Sequence, residues 1–331
     1  MKLLVAAALA GVGLAGVAPS VAGPVTVAPL HGATAIAAYG EVAVWSDHEA
    51  TSRSWHLVVR SDGRLSTPSV PSAPKAIEAD VGPDAAGVPT LAYVSCASDC
   101  DVVISNLDGS DPRTVPGSQR ASHPSIWGDR VAWVRARNTV LISRWNGIGR
   151  RVLGGAPARK CYEPLSSPQR LVCAATSART VEALALSPKR LALVDSFDVP
   201  GEIGGSGLPS EVRVEGTEGG PQRLVAILNP GEGGESWIGP SWWDGDLYFF
   251  KNGEGPHPLV YRFDPRDGRY ADTRGHRFLS GFSIIDGHRA YETTEYSGGP
   301  NSCGEEQSVP CSVLISEPLS FKPTRAPVYT L

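Results

Sequence analysis

Apolar and polar residues alternate along most of this chain in short runs broken by turns. Runs of four to eight residues with a period of two are the pattern of β-strands, and no stretch keeps a 3.6-residue period over a helical length. One segment shows the unit clearly. PSIWGDRVAW (residues 124–133) is an apolar run, a Gly-Asp break and a second apolar run that ends in tryptophan. The arrangement recurs in IAAYGEVAVW (36–45), DVGPDAAGVPTLAY (80–93), LALSPKRLAL (184–193), PSWWDGDLYFF (240–250) and FSIIDGHRAY (282–291). The closing residues Trp45, Tyr93, Trp133, Leu193, Phe249 and Tyr291 lie 40 to 60 positions apart, the spread of a repeat with variable loops.

Each copy is followed by a third β-patterned run: HLVVR (56–60), DVVISN (101–106), TVLISR (139–144), EVRVE (211–215), PLVYRF (258–263) and SVLIS (312–316). Tight polar turns such as SDGR, WNGIGR and DPRDGR come next, and weaker fourth runs such as RRVL (150–153) and RLVAIL (223–228) close the unit. Four antiparallel strands repeated six times predict an all-β, six-bladed β-propeller. SPQRLVCAA (167–175) also has the pattern of a strand pair, so the sequence leaves a seventh, degenerate blade between residues 154 and 180 open. Two segments are candidates to close the ring, residues 25–30 and the tail 326–331. The N-terminal segment is expected to join the last blade, because a closed ring takes its missing outer strand from one chain end.

Composition agrees with many turns: 37 glycines and 28 prolines occur in 331 residues, with 41% hydrophobic and 19% charged positions. The formal net charge is -4 with no basic block, which excludes nucleic acid as the expected partner, since phosphate binding needs clustered Lys and Arg. Lys2, the apolar run from Leu3 to Val17 and the small-x-small triplet Ser20-Val21-Ala22 predict a signal peptide over residues 1–22 and a mature propeller over 23–331. That run is shorter than the ~20 residues of a membrane span, and no later segment reaches that length. The chain is therefore expected to be exported, secreted or held at the cell envelope, without a membrane span and as a monomer.

The six cysteines form three local couples, Cys96 with Cys100, Cys161 with Cys173, and Cys303 with Cys311. No CxxC or neighbouring histidine offers metal-ligand spacing, so disulfides are expected and no metal or cofactor is. Asp-Gly pairs at Asp62, Asp108, Asp244, Asp267 and Asp286 read as hairpin turns, since none builds an ion-loop spacing. Trp45, Tyr93, Trp133 and Tyr291, which close four of the six repeats, and Trp127 read as core between blades rather than as a sugar platform.

GPDAAGVPTLAY, ALSPKRLALV and SIWGDRVAW resemble degenerate forms of the SPDG-plus-strand repeat of TolB-like propellers, within the wider group of WD-like repeats. Two copies keep the residue pattern around proline in register, and only Asp84 keeps the acid after it. The resemblance covers residues 33 to 323 and implies the propeller fold, with no ligand attached to it. No GxSxG elbow follows the blades, so the peptidase extension found in part of that group is not expected here.

Topology then locates a site. With the first strand of each blade innermost, the second-to-third loops and the blade connections emerge on one face, and the short hairpin turns on the other. The long insertions (154–180, 195–210 and 292–310) and all six cysteines map to the first face, where binding function usually sits. Residues near the start of the innermost strands, Asp80, His123, Glu182 and Trp237, should line the channel mouth. The reading that follows is a non-enzymatic propeller that binds a protein or cell-envelope ligand through its disulfide-braced face. Its rival is an extracellular hydrolase or lyase acting on a carbohydrate or lactone at the mouth, and a third reading is a purely structural domain. No catalytic signature is present, so enzyme activity is not the first expectation.

Overall fold

A computed structural model describes residues 23–32, 34–96, 99–153, 159–162, 172–175, 179–197, 210–228, 236–252, 259–274, 279–295 and 311–329. It is all-β, with no helix among the described residues. Blade 1 consists of Ile36–Tyr39, Val42–Glu49, Ser54–Ser61 and Arg64–Ser66, and blade 2 of Ala79–Pro83, Pro89–Cys96, Cys100–Ser105 and Arg113–Thr114. Blade 3 is Ala121–Trp127, Arg130–Arg135, Thr139–Arg144 and Arg151–Leu153, and blade 4 is Arg179–Leu186, Arg190–Phe197, Ser210–Gly216 and Arg223–Leu228. Blade 5 is Ser236–Trp243, Asp246–Asn252, Leu259–Asp264 and Arg269–Arg274. Blade 6 takes Leu279–Ile284, Arg289–Glu295 and Ser312–Pro318 from its own repeat and Val25–Leu30 from the N-terminus.

The innermost strands of successive blades pack side by side, and the sixth packs on the first, so the ring is a six-bladed β-propeller. The N-terminal strand is antiparallel to Ser312–Pro318 and closes the ring, with Ala28 and Leu30 in the core. The tail does something else. Lys322–Thr324 adds a fifth strand to blade 5, and Val328–Tyr329 adds a parallel fifth strand to blade 4. No seventh blade forms in the described part of residues 154–180, which holds a two-stranded ribbon, Arg159–Tyr162 against Val172–Ala175.

Alternating apolar residues of neighbouring blades form the core. Trp45, Tyr93, Trp133 and Tyr291 are all buried there, in clusters that join blades 6 and 1, 1 and 2, and 2 and 3. Cys96 and Cys100 form a disulfide. Cys161 and Cys173 are directly opposite in the ribbon, and Cys311 is disulfide-bonded; Cys303 lies outside the described residues, as do residues 1–22, where a signal peptide is expected. The Asp-Gly pairs are turns: Asp108, Asp267 and Asp286 each accept the backbone N–H two residues on, at 2.9, 3.0 and 2.9 Å.

Blade 4 carries an unusual buried charge network. Arg179 donates from Nε and Nη2 to the Asp195 carboxylate at 2.9 Å each. Arg213 donates to Glu211 from Nε at 2.7 Å and stands 3.6 Å from Asp195, and Gln222 reaches Glu215 at 3.0 Å.

Candidate functional site

In a propeller the innermost strands line the central channel, and their first residues stand at the loop-bearing end. A cavity of about 460 Å³ fills that channel, lined by residues of all six inner strands. Asp80, His123, Glu182 and Trp237 are all in the lining. Glu78, not anticipated from the sequence, joins them. It lies two residues before Asp80, and the period-two rule for strands could have flagged that pair.

Four of the six inner strands break register near their starts, between Ser122 and Ser125, Val181 and Ala183, Ile238 and Pro240, and Leu279 and Gly281. These are β-bulges, which leave a residue unpaired and re-aim its side chain. The residues skipped by the ladder include His123, Glu182, Gly239 and Ser280, and all four line the cavity. Blades 3 and 5 match here as HPSIW and GPSWW. Both bulge residues hold a left-handed backbone, Gly239 at φ 44° and His123 at φ 47°. Glycine suits blade 5, where a Cβ would stand 2.7 Å from the Phe282 carbonyl oxygen. Blade 3 places an imidazole at a backbone that glycine takes more easily.

That imidazole is fixed by Glu78. The His123 backbone N–H donates to Glu78 Oε2, and His123 Nδ1 stands 3.6 Å from the same oxygen. Glu182 is exposed and accepts a hydrogen bond from Ser196 Oγ. Trp237 is buried, with its ring edge-on to Phe249 and Tyr261 at 5.3 and 5.9 Å, so it forms a wall more than a free platform.

Asp80 has a double role. One hydroxyl position stitches the inner strands together: Leu186 N–H donates to Ser125 Oγ at 2.8 Å, Ile284 N–H to Ser241 Oγ at 3.1 Å, and Ala38 N–H to Ser283 Oγ at 2.9 Å. Blade 2 has a carboxylate at the same place. Asp80 Oδ2 accepts from Ile126 N–H (2.9 Å) and Ser125 Oγ (2.8 Å), and Oδ1 from Val81 N–H (2.9 Å). Burial nevertheless dominates, and pushes its pKa up to about 6 against the lowering effect of those three donors.

Among the described residues the charge at the mouth is one-sided: Glu78, Asp80 and Glu182 line the cavity with one histidine, and no Lys or Arg is among the described lining residues. No group of three side chains placed to hold a metal ion occurs among the described residues. At the opposite end of the same strands, Tyr39 and Trp127 meet edge to face, with ring centres 5.6 Å apart. The site is thus an acidic mouth, with an aromatic pair at the far end of the inner strands.

The class defined by this topology is the six-bladed β-propeller with its ring closed by an N-terminal strand. No family model matches the chain, and no curated protein matches it. Among solved structures, it is similar to a puromycin-hydrolyzing peptidase of Mycobacterium tuberculosis, with 14% identity and a TM-score of 0.49 over 90% of this chain and 53% of that one. It is also similar to the β-propeller domain of the Trilobed protease from Pyrococcus furiosus, with 9% identity and a TM-score of 0.47 over 88% and 98% of the two chains. A third similarity is to YCF48 from Cyanidioschyzon merolae, with 9% identity and a TM-score of 0.43 over 89% and 99%. At these identities the likeness is one of fold.

Proposed function

We propose that this protein is an exported binding propeller whose ligand presents a cationic group to the acidic mouth of the central channel. The observation that carries the reading is the 460 Å³ cavity with Glu78, Asp80 and Glu182 at its loop-bearing end and no basic residue among its described lining residues. Concave sites with a few convergent polar groups are where ligands bind, and a low-dielectric wall strengthens the attraction of such carboxylates for a cation. The signal-peptide pattern of residues 1–22 and the Cys96–Cys100 disulfide support export. The ligand class this favours is a lysine- or arginine-bearing segment of a protein or of a peptide-containing envelope polymer.

Titration calorimetry with a tetralysine peptide tests this at low salt. Binding should be saturable, at least tenfold weaker for Asp80→Asn combined with Glu182→Gln, and absent for tetraglutamate. Equal heats for the two peptides would sink the reading. Affinity should also rise as pH goes from 5 to 7, because Asp80 gains its charge across that window.

A second reading has one observation in its favour, the Glu78–His123 pair lining the same cavity as Asp80. A carboxyl with a pKa of about 6 and a carboxylate-paired imidazole in one cavity are suited to general acid–base chemistry, as a hydrolase or lyase acting on a carbohydrate or lactone requires. Turnover of such substrates that disappears in Asp80→Asn and His123→Gln would move the assignment to this enzyme.

A further inference from the structure

The opposite face carries a pocket of the opposite sign. The third-to-fourth-strand turn of blade 3, WNGIGR (residues 145–150), leaves a cavity of about 210 Å³ beside blade 4, and Arg130, Ser143, Arg144, Arg151 and Glu218 are in its wall. Three guanidinium groups face one carboxylate, which leaves the lining at net +2. We infer that this pocket binds an oxyanion group of the phosphate or sulfate type.

The arginines are held rather than loose. Glu218 receives Arg130 Nη2 at 2.5 Å and Arg151 Nη2 at 2.8 Å, so a single carboxylate answers two cations. Hydrogen bonds from the Arg151 and Arg130 guanidinium groups hold the Glu218 carboxyl below its usual range. Arg130 is fixed a second time, by Nη1 donating to Thr217 Oγ1 at 2.7 Å. Arg144 leans on Asp129 at 3.3 Å, and Asp129 is outside the cavity wall. The Nε–H of Arg151 is buried and has no acceptor. A buried donor without a partner is costly, and a planar guanidinium fork is the group that meets phosphate or sulfate oxygens two at a time. Ile148, 64% exposed, stands at the rim of the pocket.

The test is titration of the full mature chain with sodium phosphate and sodium sulfate against chloride at matched ionic strength, read by calorimetry and ³¹P NMR line width. Saturable binding of one oxyanion per chain is expected, at least tenfold weaker in Arg144→Gln and in Arg151→Gln, and unchanged in the channel variant Asp80→Asn. Arg144 is 61% exposed, so its variant keeps the test valid if Arg151→Gln folds poorly. Equal affinity for inorganic phosphate and an alkyl phosphate monoester would identify a free-anion site, whereas tenfold preference for the monoester would identify a phosphate carried on an apolar group that reaches Ile148. Phosphate binding no better than chloride, or binding unaltered in both arginine variants, overturns the inference.

Discussion

Two sets of three carboxylates lie on neighbouring parts of this propeller and are treated in opposite ways. Asp195, Glu211 and Glu215 of blade 4 are 0%, 0% and 2% exposed, and Arg179, Arg213 and Gln222 donate to them. Glu78, Asp80 and Glu182 of the channel mouth receive backbone N–H groups and hydroxyls, with one imidazole nearby. Buried charges must be matched by opposite charge, because their desolvation cost is several kcal/mol each. At the mouth Glu78 and Glu182 are exposed and carry little of that cost, whereas Asp80 carries part of it, visible in its raised pKa. The first set ties the strands of blade 4 to one another, and the second is the set to which the proposed cation binding is assigned.

The largest effect separating the sets should come from breaking the first. Arg179→Met removes two of the donors to Asp195 while keeping most of the volume, and is expected to cost about 3–5 kcal/mol in urea unfolding. A loss below about 1 kcal/mol would mean that the network is not holding blade 4. Asp80→Asn should act in the other direction at neutral pH. The Asp80 pKa is raised to about 6 in the folded chain, so between about pH 4 and pH 6 the unfolded chain ionises first and the folded state loses stability as pH rises. The loss levels off above pH 6 at no more than about 3 kcal/mol. The asparagine keeps an acceptor for Ile126 and Ser125 and lacks this slope. Parallel stability profiles for the two chains between pH 4 and 7 would refute the assignment.

Ser125→Ala tests the stitching that the Asp80 position shares. It strips Asp80 of one donor and leaves the buried Leu186 N–H without its acceptor, at an expected cost of 1–3 kcal/mol, of order a lost buried hydrogen bond. Tetralysine affinity should change less than threefold, since the mouth carboxylates remain. A loss of binding as large as that of Asp80→Asn would show that the stitch and the site are one thing.

The fold was legible in the sequence because each blade repeats the same hairpin, PSIWGDRVAW being the clearest, and its turns sit where Gly-Asp and Asp-Gly place them. N-terminal closure was legible for a topological reason. The blade 4 network was not, because EVRVE alternates charged and apolar residues, and alternation tells which residues share a face but not what covers it. Here both faces are covered, and the Arg179 that answers Asp195 comes from the other side of the sheet ladder, on the innermost strand. The candidate residues at the mouth followed from their position at strand starts. The bulges that turn His123 and Glu182 into the channel did not, since a bulge is a local shift of register with no fixed sequence sign except the shared proline of HPS and GPS.

That shared proline sets up the smallest and most specific prediction. His123 and Gly239 occupy the same bulge with nearly the same backbone, φ 47° and 44°, and a left-handed backbone costs a side-chain-bearing residue roughly 1 kcal/mol relative to glycine. His123→Gly should therefore stabilise the protein by about 1 kcal/mol or less, the gain being reduced by the greater freedom of glycine in the unfolded chain. The same change removes the imidazole beside Glu78 and should alter tetralysine binding by a measurable factor of three or more. Strain retained at a mouth position that blade 5 relaxes with glycine is what a functional histidine would show. If His123→Gly is more stable and binds unchanged, the imidazole is only a rim residue, and the recognition chemistry rests on the three carboxylates alone.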